Sequence, residues 1–392
     1  MNEIRLPVYL DYNATTPVAT EVLDAMIPYF RERYGNPSSS HSYGKVAKQG
    51  LDQAREQLAD LLGADPPELI FTGCATESNN LALFGMARTA PIHKRHIIIS
   101  AIEHPSVMQP VLQLQREGWE VTFAEVDQRG QIDLELFQQS LRPDTAFVSI
   151  MHANNEIGTV QPIHEISKLT RALDIPLHVD AAQSVGKISV NVKNLDVDML
   201  SIAGHKFYAP KGVGALYVRK GAPVCPLTYG ASHERGVRPG TENVVSIVGL
   251  GAAAHLAKQR LESAGLLIKL RDRFHSLLSS SIPGLTLNGH PSERLPNTLN
   301  VSFPEIDANQ LLRVIERDVA ASLGAACHSG GHVASDVLVA VKATRDQMAG
   351  AVRFSLGEPT TEAEILHAAQ AIIAGWQMLT NQIRTPSSPV IL

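Results

Sequence analysis

The chain has 392 residues, of which 44% are hydrophobic and 19% charged, with a formal charge of −5. These proportions suit a soluble globular protein with a large and a smaller core, and they exclude a disordered or fibrous chain. The slight negative excess gives no electrostatic attraction to nucleic acid or anionic lipid, so a small polar substrate fits better.

In chain order, Met1 to Pro7 carries Glu3 and Arg5 and no apolar run, which matches neither a secretory signal nor a transit peptide. From Glu68 to Val218, short β-branched runs alternate with helix-like stretches. The runs are Glu68–Phe71, His96–Ser100, Glu120–Phe123, Ala146–Ile150, Pro176–Val179, Met199–Ile202 and Gly214–Val218. Several are apolar on both faces, as strands covered above and below by helices are. Amphipathic segments such as Ser106 to Gly118 and Ile163 to Asp174 lie between them. The fold class is therefore α/β: a mainly parallel sheet in an α/β/α sandwich, whose ligands bind beyond the carboxyl ends of the strands. After Val245 a long helical segment to about Ser280 leads into Leu285–Asn288, Leu299–Phe303 and further helices, the pattern of a smaller α+β domain. The expected division is 15–255 for the large domain and 1–14 with 256–392 for the small one. The apolar stretch Ile247–Leu256 is broken by Gly249 and Gly251 and contains His255, so it does not read as a membrane span.

The loops after those strands carry unusual residues. Thr72 to Asn80 joins small and hydroxyl residues to a helix start, which presents backbone N–H groups to an anion, unless Thr76 or Ser78 simply caps the helix. Asp180 ends a buried strand, where it would cap the next helix or hold a pyridinium nitrogen protonated. Lys206 follows another buried strand, a costly place for an amine without a partner or a role such as a Schiff base. His104 and Asn155 follow two further strands. An anion loop, a ring-nitrogen carboxylate and a lysine at one sheet edge are together the parts needed for pyridoxal 5'-phosphate (PLP).

These motifs give the chain a resemblance to the class V, fold-type I PLP enzymes of the cysteine desulfurase and selenocysteine lyase family. It runs through Leu10–Pro17, Gly35–Ser38, Ala75–Asn80, His152–Gly158, His178–Gln183, Gly204–Lys206, Arg238–Asn243, Ala326–Cys327 and Arg353–Gly357, nearly the whole chain. The resemblance implies that Lys206 is the Schiff-base lysine and that His104 stacks on the ring and aids proton transfer. It implies that Asp180 pairs with the ring nitrogen, that Gln183 and Asn155 face the ring hydroxyl, and that Ala75, Thr76 and His205 hold the phosphate. Arg353 would clamp the substrate carboxylate, with Asn155 and Asn13 also at the substrate. Thr241 would reach the phosphate of a partner subunit, which makes the expected assembly a homodimer with shared sites.

Cys327 lies in Ser322–His332, a run of small residues suited to a mobile loop, where His328 would favour a thiolate. The three cysteines, Cys74, Cys225 and Cys327, are an odd number far apart, which fits free thiols in a reducing cytoplasm. No Cys/His cluster has zinc spacing, and no metal site is expected. The function expected is a PLP-dependent cysteine desulfurase. It would convert L-cysteine to L-alanine and pass sulfur through a Cys327 persulfide to an acceptor such as an iron–sulfur scaffold or a thiolation enzyme. Neither nucleic acid nor membrane is an expected partner. Several positions depart from the commonest desulfurase pattern: Gly73 and Cys74 in the anion loop, Ala203 where a hydroxyl is usual, Ala231–Arg235, Ala334 and Asp336. The segment Gly324–Ser329 and Ala203 resemble selenocysteine lyases, which makes release of selenide from L-selenocysteine the runner-up. An aminotransferase of the same class leaves Cys327 without a role. A PLP-free sulfur-relay scaffold leaves Lys206, Asp180, His104 and Arg353 without one.

Overall fold

The computed structural model describes residues 6–261, 265–323 and 335–384. Its strands are β1 (Val8–Tyr9), β2 (Leu69–Thr72), β3 (His96–Ser100), β4 (Glu120–Ala124), β5 (Thr145–Met151), β6 (Leu177–Asp180), β7 (Met199–Ala203) and β8 (Gly214–Val218) in the first part. Then come β9 (Thr286–Asn288), β10 (Thr298–Ser302), β11 (Val319–Ala320) and β12 (Ala351–Ser355).

Among the described residues, seven strands form the central sheet in the order β2-β8-β7-β6-β5-β3-β4. All its neighbours pair parallel except β8, which runs antiparallel to both β2 and β7. The sheet is covered on both faces, which is why its strands read as continuous apolar runs rather than alternating ones. Ile97 and Ile99 of β3 face a cluster with Leu81, Met86, Val107 and Val111 of helices Ala75–Thr89 and Pro105–Arg116. Ile98 faces the opposite cluster with Leu58, Ile166 and Leu250, from helices Ser42–Leu62, Ile163–Arg171 and Val244–Arg260. The mainly parallel α/β/α sandwich expected from the sequence is thus the observed fold.

The stretch expected as one long helix is two, Val244–Arg260 and Gly265–Ser281, with 262–264 outside the described residues. Each helix has its own apolar stripe facing a different core. Ile247, Leu250 and Ala254 join the central-sheet cluster, while Leu270, Phe274 and Leu278 join a separate one. That second core is built on the antiparallel sheet β12-β10-β9 and includes Val8 and Leu10 from the start of the chain. Strand period two decides its faces. Leu299, Val301, Val352 and Phe354 enter the apolar core, leaving Thr298, Asn300, Arg353 and Ser355 on the other face. These polar residues are also buried, because that face packs toward the end of the central sheet. β1 pairs with β11, and Asp11 bridges to Ser355, so the chain start is stitched between the two sheets. No helix among the described residues is long and apolar enough to cross a membrane.

Phe354 is 0% exposed and stacks edge-on against Phe274 and Phe303 at 5.2 and 6.4 Å between ring centroids. Phe354→Ala is expected to lower unfolding free energy by about 3–5 kcal/mol, read from denaturant melts.

Candidate active site

The residues singled out by their loops do gather at the carboxyl end of the central sheet. β2 leads through Gly73 and Cys74 into the helix that begins at Ala75, β3 leads to His104 and β5 to Asn155. Asp180 ends β6, and Lys206 closes the short 3-10 turn after β7. The first of these elements is not capped by Thr76 or Ser78. Both lie inside the helix, and Cys74, at the cap position, makes no side-chain cap. The first-turn N–H groups are thereby left to an outside acceptor. Gly214 of β8 lets the sheet approach this turn, since a Cβ there would meet the Cys74 backbone at 2.9 Å.

Lys206 donates through Nζ to two backbone carbonyls, Asn13 O at 2.6 Å and Ala14 O at 2.8 Å. Its pKa is pulled down to about 8, first by desolvation and then by the Arg353 guanidinium, against the opposing pull of Asp11 and Asp180. Asp180 is buried and its oxygens accept from Ala182 N at 2.9 Å and Asn79 Nδ2 at 2.8 Å. Gln183 donates to Asn13 O at 3.0 Å. His205 meets Thr15 Oγ1 at 3.1 Å, and desolvation with the Lys206, Lys211 and Lys187 cations holds its pKa down to about 4.

Arg353 reaches this cluster from β12. Its Nη1 donates to Asn155 O at 2.9 Å and its Nη2 to Asp11 Oδ1 at 2.7 Å. Local turn chemistry sets the Asn155 loop: Asn154 Oδ1 accepts from the N–H of Glu156 and Ile157 at 2.8 and 3.0 Å. Among the described residues nothing hydrogen-bonds the Asn155 side-chain amide; the bonds to this residue are made to its backbone carbonyl.

Asn13 has a different setting from the substrate contact expected of it. It is 1% exposed, and its amide is spent on Thr298 Oγ1, Asn155 O, Asn297 Nδ2 and Lys187 Nζ. Lys187 and Asp11 were missed by sequence reasoning, although Lys187 lies four residues beyond Gln183, whose Oε1 it also meets at 2.6 Å. Thr241 is exposed on the loop before helix Val244–Arg260, and among the described residues no hydrogen bond links it to the Lys206 cluster. Cys327, His328 and Ala334 lie outside the described residues.

An amine able to lose its proton, a buried carboxylate, an open helix start and a carboxylate-sized arginine suit an aldehyde cofactor with a ring nitrogen and a phosphate, acting on an amino acid. Comparison with known proteins agrees. Residues 8–367 match the family model "Aminotransferase class-V", and the chain belongs to that family. It is 43% identical to "Cysteine desulfurase IscS" of Dictyoglomus turgidum over 382 residues, 97% of this chain and 96% of that one. Among solved structures, a "NIFS-LIKE PROTEIN" superposes with a TM-score of 0.90 at 39% identity, covering 95% of this chain and 100% of its own. "SspA in complex with cysteine" superposes with a TM-score of 0.79 at 36% identity, covering 89% and 98%.

The Lys206 amine becomes nucleophilic as pH rises through its own pKa. Labelling of Lys206 by a small acylating reagent, followed by peptide mass, is expected to show a midpoint near about 8 rather than the usual 10.5. Asp11→Asn removes a charge that favours the ammonium form, so it moves this midpoint down.

Proposed function

We propose that this chain is a PLP-dependent cysteine desulfurase that converts L-cysteine to L-alanine and takes the sulfur onto Cys327. The observation that carries this reading is Lys206, held by neutral carbonyls at the carboxyl end of the sheet with a depressed pKa, facing Asp180 and Arg353. Cysteine desulfurases at 42–47% identity over more than nine-tenths of the chain support the substrate.

PLP fits the donor set and, when bound, supplies the electron sink that lets bonds at the substrate's α-carbon rearrange. Lys206 would hold its aldehyde carbon, Asp180 its ring nitrogen, and Gln183 and Asn155 its ring hydroxyl. Ala75, Thr76 and His205 would hold its phosphate, with Thr241 contributed to the partner's site. Arg353 binds the substrate carboxylate, a match of fork to carboxylate. Lys206 Nζ would take the α-proton, and His104 would assist proton transfer beside it. The Cys327 thiolate attacks the substrate sulfur, breaks its bond to carbon and keeps it as a persulfide, while the carbon skeleton leaves as alanine. An acceptor such as an iron–sulfur scaffold or a thiolation enzyme then collects the sulfur in the cytoplasm.

A homodimer with shared sites belongs to this reading. Helix Thr20–Arg31 exposes Leu23, Ile27 and Phe30 at helical spacing, and exposed Tyr34 and Tyr43 touch beside them with ring centroids 5.7 Å apart. Such an apolar stripe fits a second copy of the chain. The division into a large unit, 15–255, and a small one, 1–14 with 256–392, is supported by the second core around Val8, Leu10, Phe274 and Phe354, although Ala257, Val337, Leu338, Val341 and Ala351 pack into the central-sheet core.

Peptide mass after L-cysteine without reductant is expected to find one added sulfur on Cys327, with alanine formed. Cys327→Ala is expected to keep the bound yellow cofactor and abolish sulfur transfer; loss of the cofactor in that variant would overturn the assignment. No adduct and no alanine from the cofactor-loaded wild type would turn the reading to L-selenocysteine. Phe30→Asp is expected to halve the mass seen by light scattering.

A further inference from the structure

His104 sits at the N-cap of helix Pro105–Arg116, and its Nδ1 faces two groups of Ser106: the backbone N–H at 3.1 Å and Oγ at 2.8 Å. The backbone amide can only donate, so Nδ1 must accept. Ser106 Oγ also lies 2.8 Å from Asn79 Nδ2, and that same nitrogen lies 2.8 Å from Asp180 Oδ2. The direction of every bond in this chain follows from its ends. An ionised carboxylate only accepts, so the Asn79 amide turns its NH2 toward Asp180, and Oδ1 turned there would meet a negative charge. The second N–H of that NH2 then donates to Ser106 Oγ. Ser106 accepts there with one of its oxygen lone pairs and turns its single hydrogen to His104 Nδ1, which shares its one lone pair between that hydroxyl and the backbone N–H.

Resting on the function proposed above, we infer that Asn79 and Ser106 are positioning residues that relay the orientation of the Asp180 carboxylate to His104. Together with the Ser106 backbone N–H, the relay holds the imidazole as the tautomer that carries its proton on Nε2. Asn79 and Ser106 are 0% and 7% exposed, so the two bonds made by Asn79 are buried, while those to His104 are part-buried. The helix N-terminus disfavours a cation at the cap, which opposes protonation of Nδ1. Desolvation and the Lys206 cation add to this and hold the His104 pKa below its ordinary value, with Asp180 pulling the other way. His104 therefore meets a bound ligand as a hydrogen-bond donor through Nε2, and a second proton on Nδ1 requires both the Ser106 hydroxyl and the Ser106 backbone N–H to give way. The Ser106 N–H already favours Nδ1 as an acceptor at 3.1 Å, and the shorter hydroxyl bond adds to that hold, so an apolar residue at either position weakens the preference without abolishing it.

Nitrogen-15 spectra of the apo protein labelled at histidine test this without cofactor or turnover, with the His104 signals assigned by their loss in His104→Gln. At a pH above the imidazole titration, the wild type is expected to show protonated Nε2 and unprotonated Nδ1. In Ser106→Ala and in Asn79→Ala the two signals are expected to move part of the way toward each other, because the longer backbone bond still favours Nδ1 as an acceptor, and Ser106→Thr, which keeps the hydroxyl, is expected to restore them. With cofactor and L-cysteine, Ser106→Ala should lower kcat for alanine formation by roughly threefold to tenfold and leave KM nearly unchanged, the scale of one hydrogen bond. A proton on Nδ1 in the wild type, or unchanged His104 signals in a folded Ser106→Ala protein, would overturn the relay. Absence of alanine from the wild type with intact Nε2 protonation would count against the proposed reaction and leave the relay standing.

Discussion

Everything at this site hangs on Asn13. Its backbone carbonyl accepts from both Lys206 Nζ and Gln183 Nε2, its N–H donates to Ser355 Oγ, and its side chain ties Asn155 to Thr298 and Asn297. One residue near the start of the chain thus joins the carboxyl end of the central sheet to the polar face of the smaller one. Because it is buried, each of these bonds is costly to leave unmade, and the two sheets are held in one register relative to Lys206. The neighbouring Thr15 and Thr16 continue the clasp. Thr16 N and Oγ1 both donate to His205 O, so the turn that carries the lysine is fastened on its outer side as well.

Much of the frame was legible in the sequence because burial on both faces writes itself as unbroken apolar runs. His96–Ser100 and Gly214–Val218 have the same bounds in the structure as in that reading, and the others shift by one residue at one end or both. Direction was less legible. β8 runs antiparallel, and the reason lies in length: Gly204 to Val213 is too short for the parallel crossover of about a dozen residues or more. Strand order was not legible at all, since it depends on which edges meet across distant segments. The same holds for the small sheet, whose buried polar face reads as solvent-facing until another layer is laid on it.

At the site, the residues found from sequence were those at strand ends, where a charged or amide side chain interrupts an apolar pattern: Asp180, Lys206, His104 and Asn155. Those it missed are the ones that hold the first set in place. Asn79 and Ser106 stand within helices, and as sequence they look like ordinary polar positions. Lys187 resembles a surface lysine after a turn, yet its ammonium nitrogen lies between Asn13 Oδ1 and Gln183 Oε1. A side chain that acts through another has no signature of its own in one sequence. Only the fold, by bringing the two within 3 Å, reveals it.

The charges of the site have a common logic. Lys187, Lys206 and Arg353 crowd together, and each lysine has its pKa depressed by burial and by its cationic neighbours. The guanidinium keeps its proton, so the crowding weakens the hold of the lysines on theirs. Arg353 therefore serves two ends. In the resting site its field weakens the hold of Lys206 on its proton and leaves the amine nucleophilic. A carboxylate bound to Arg353, as in the proposed reaction, cancels that field and raises the proton affinity of Lys206. On that reading the same lysine would change from a nucleophile into a base when the substrate arrives, without any movement of the backbone.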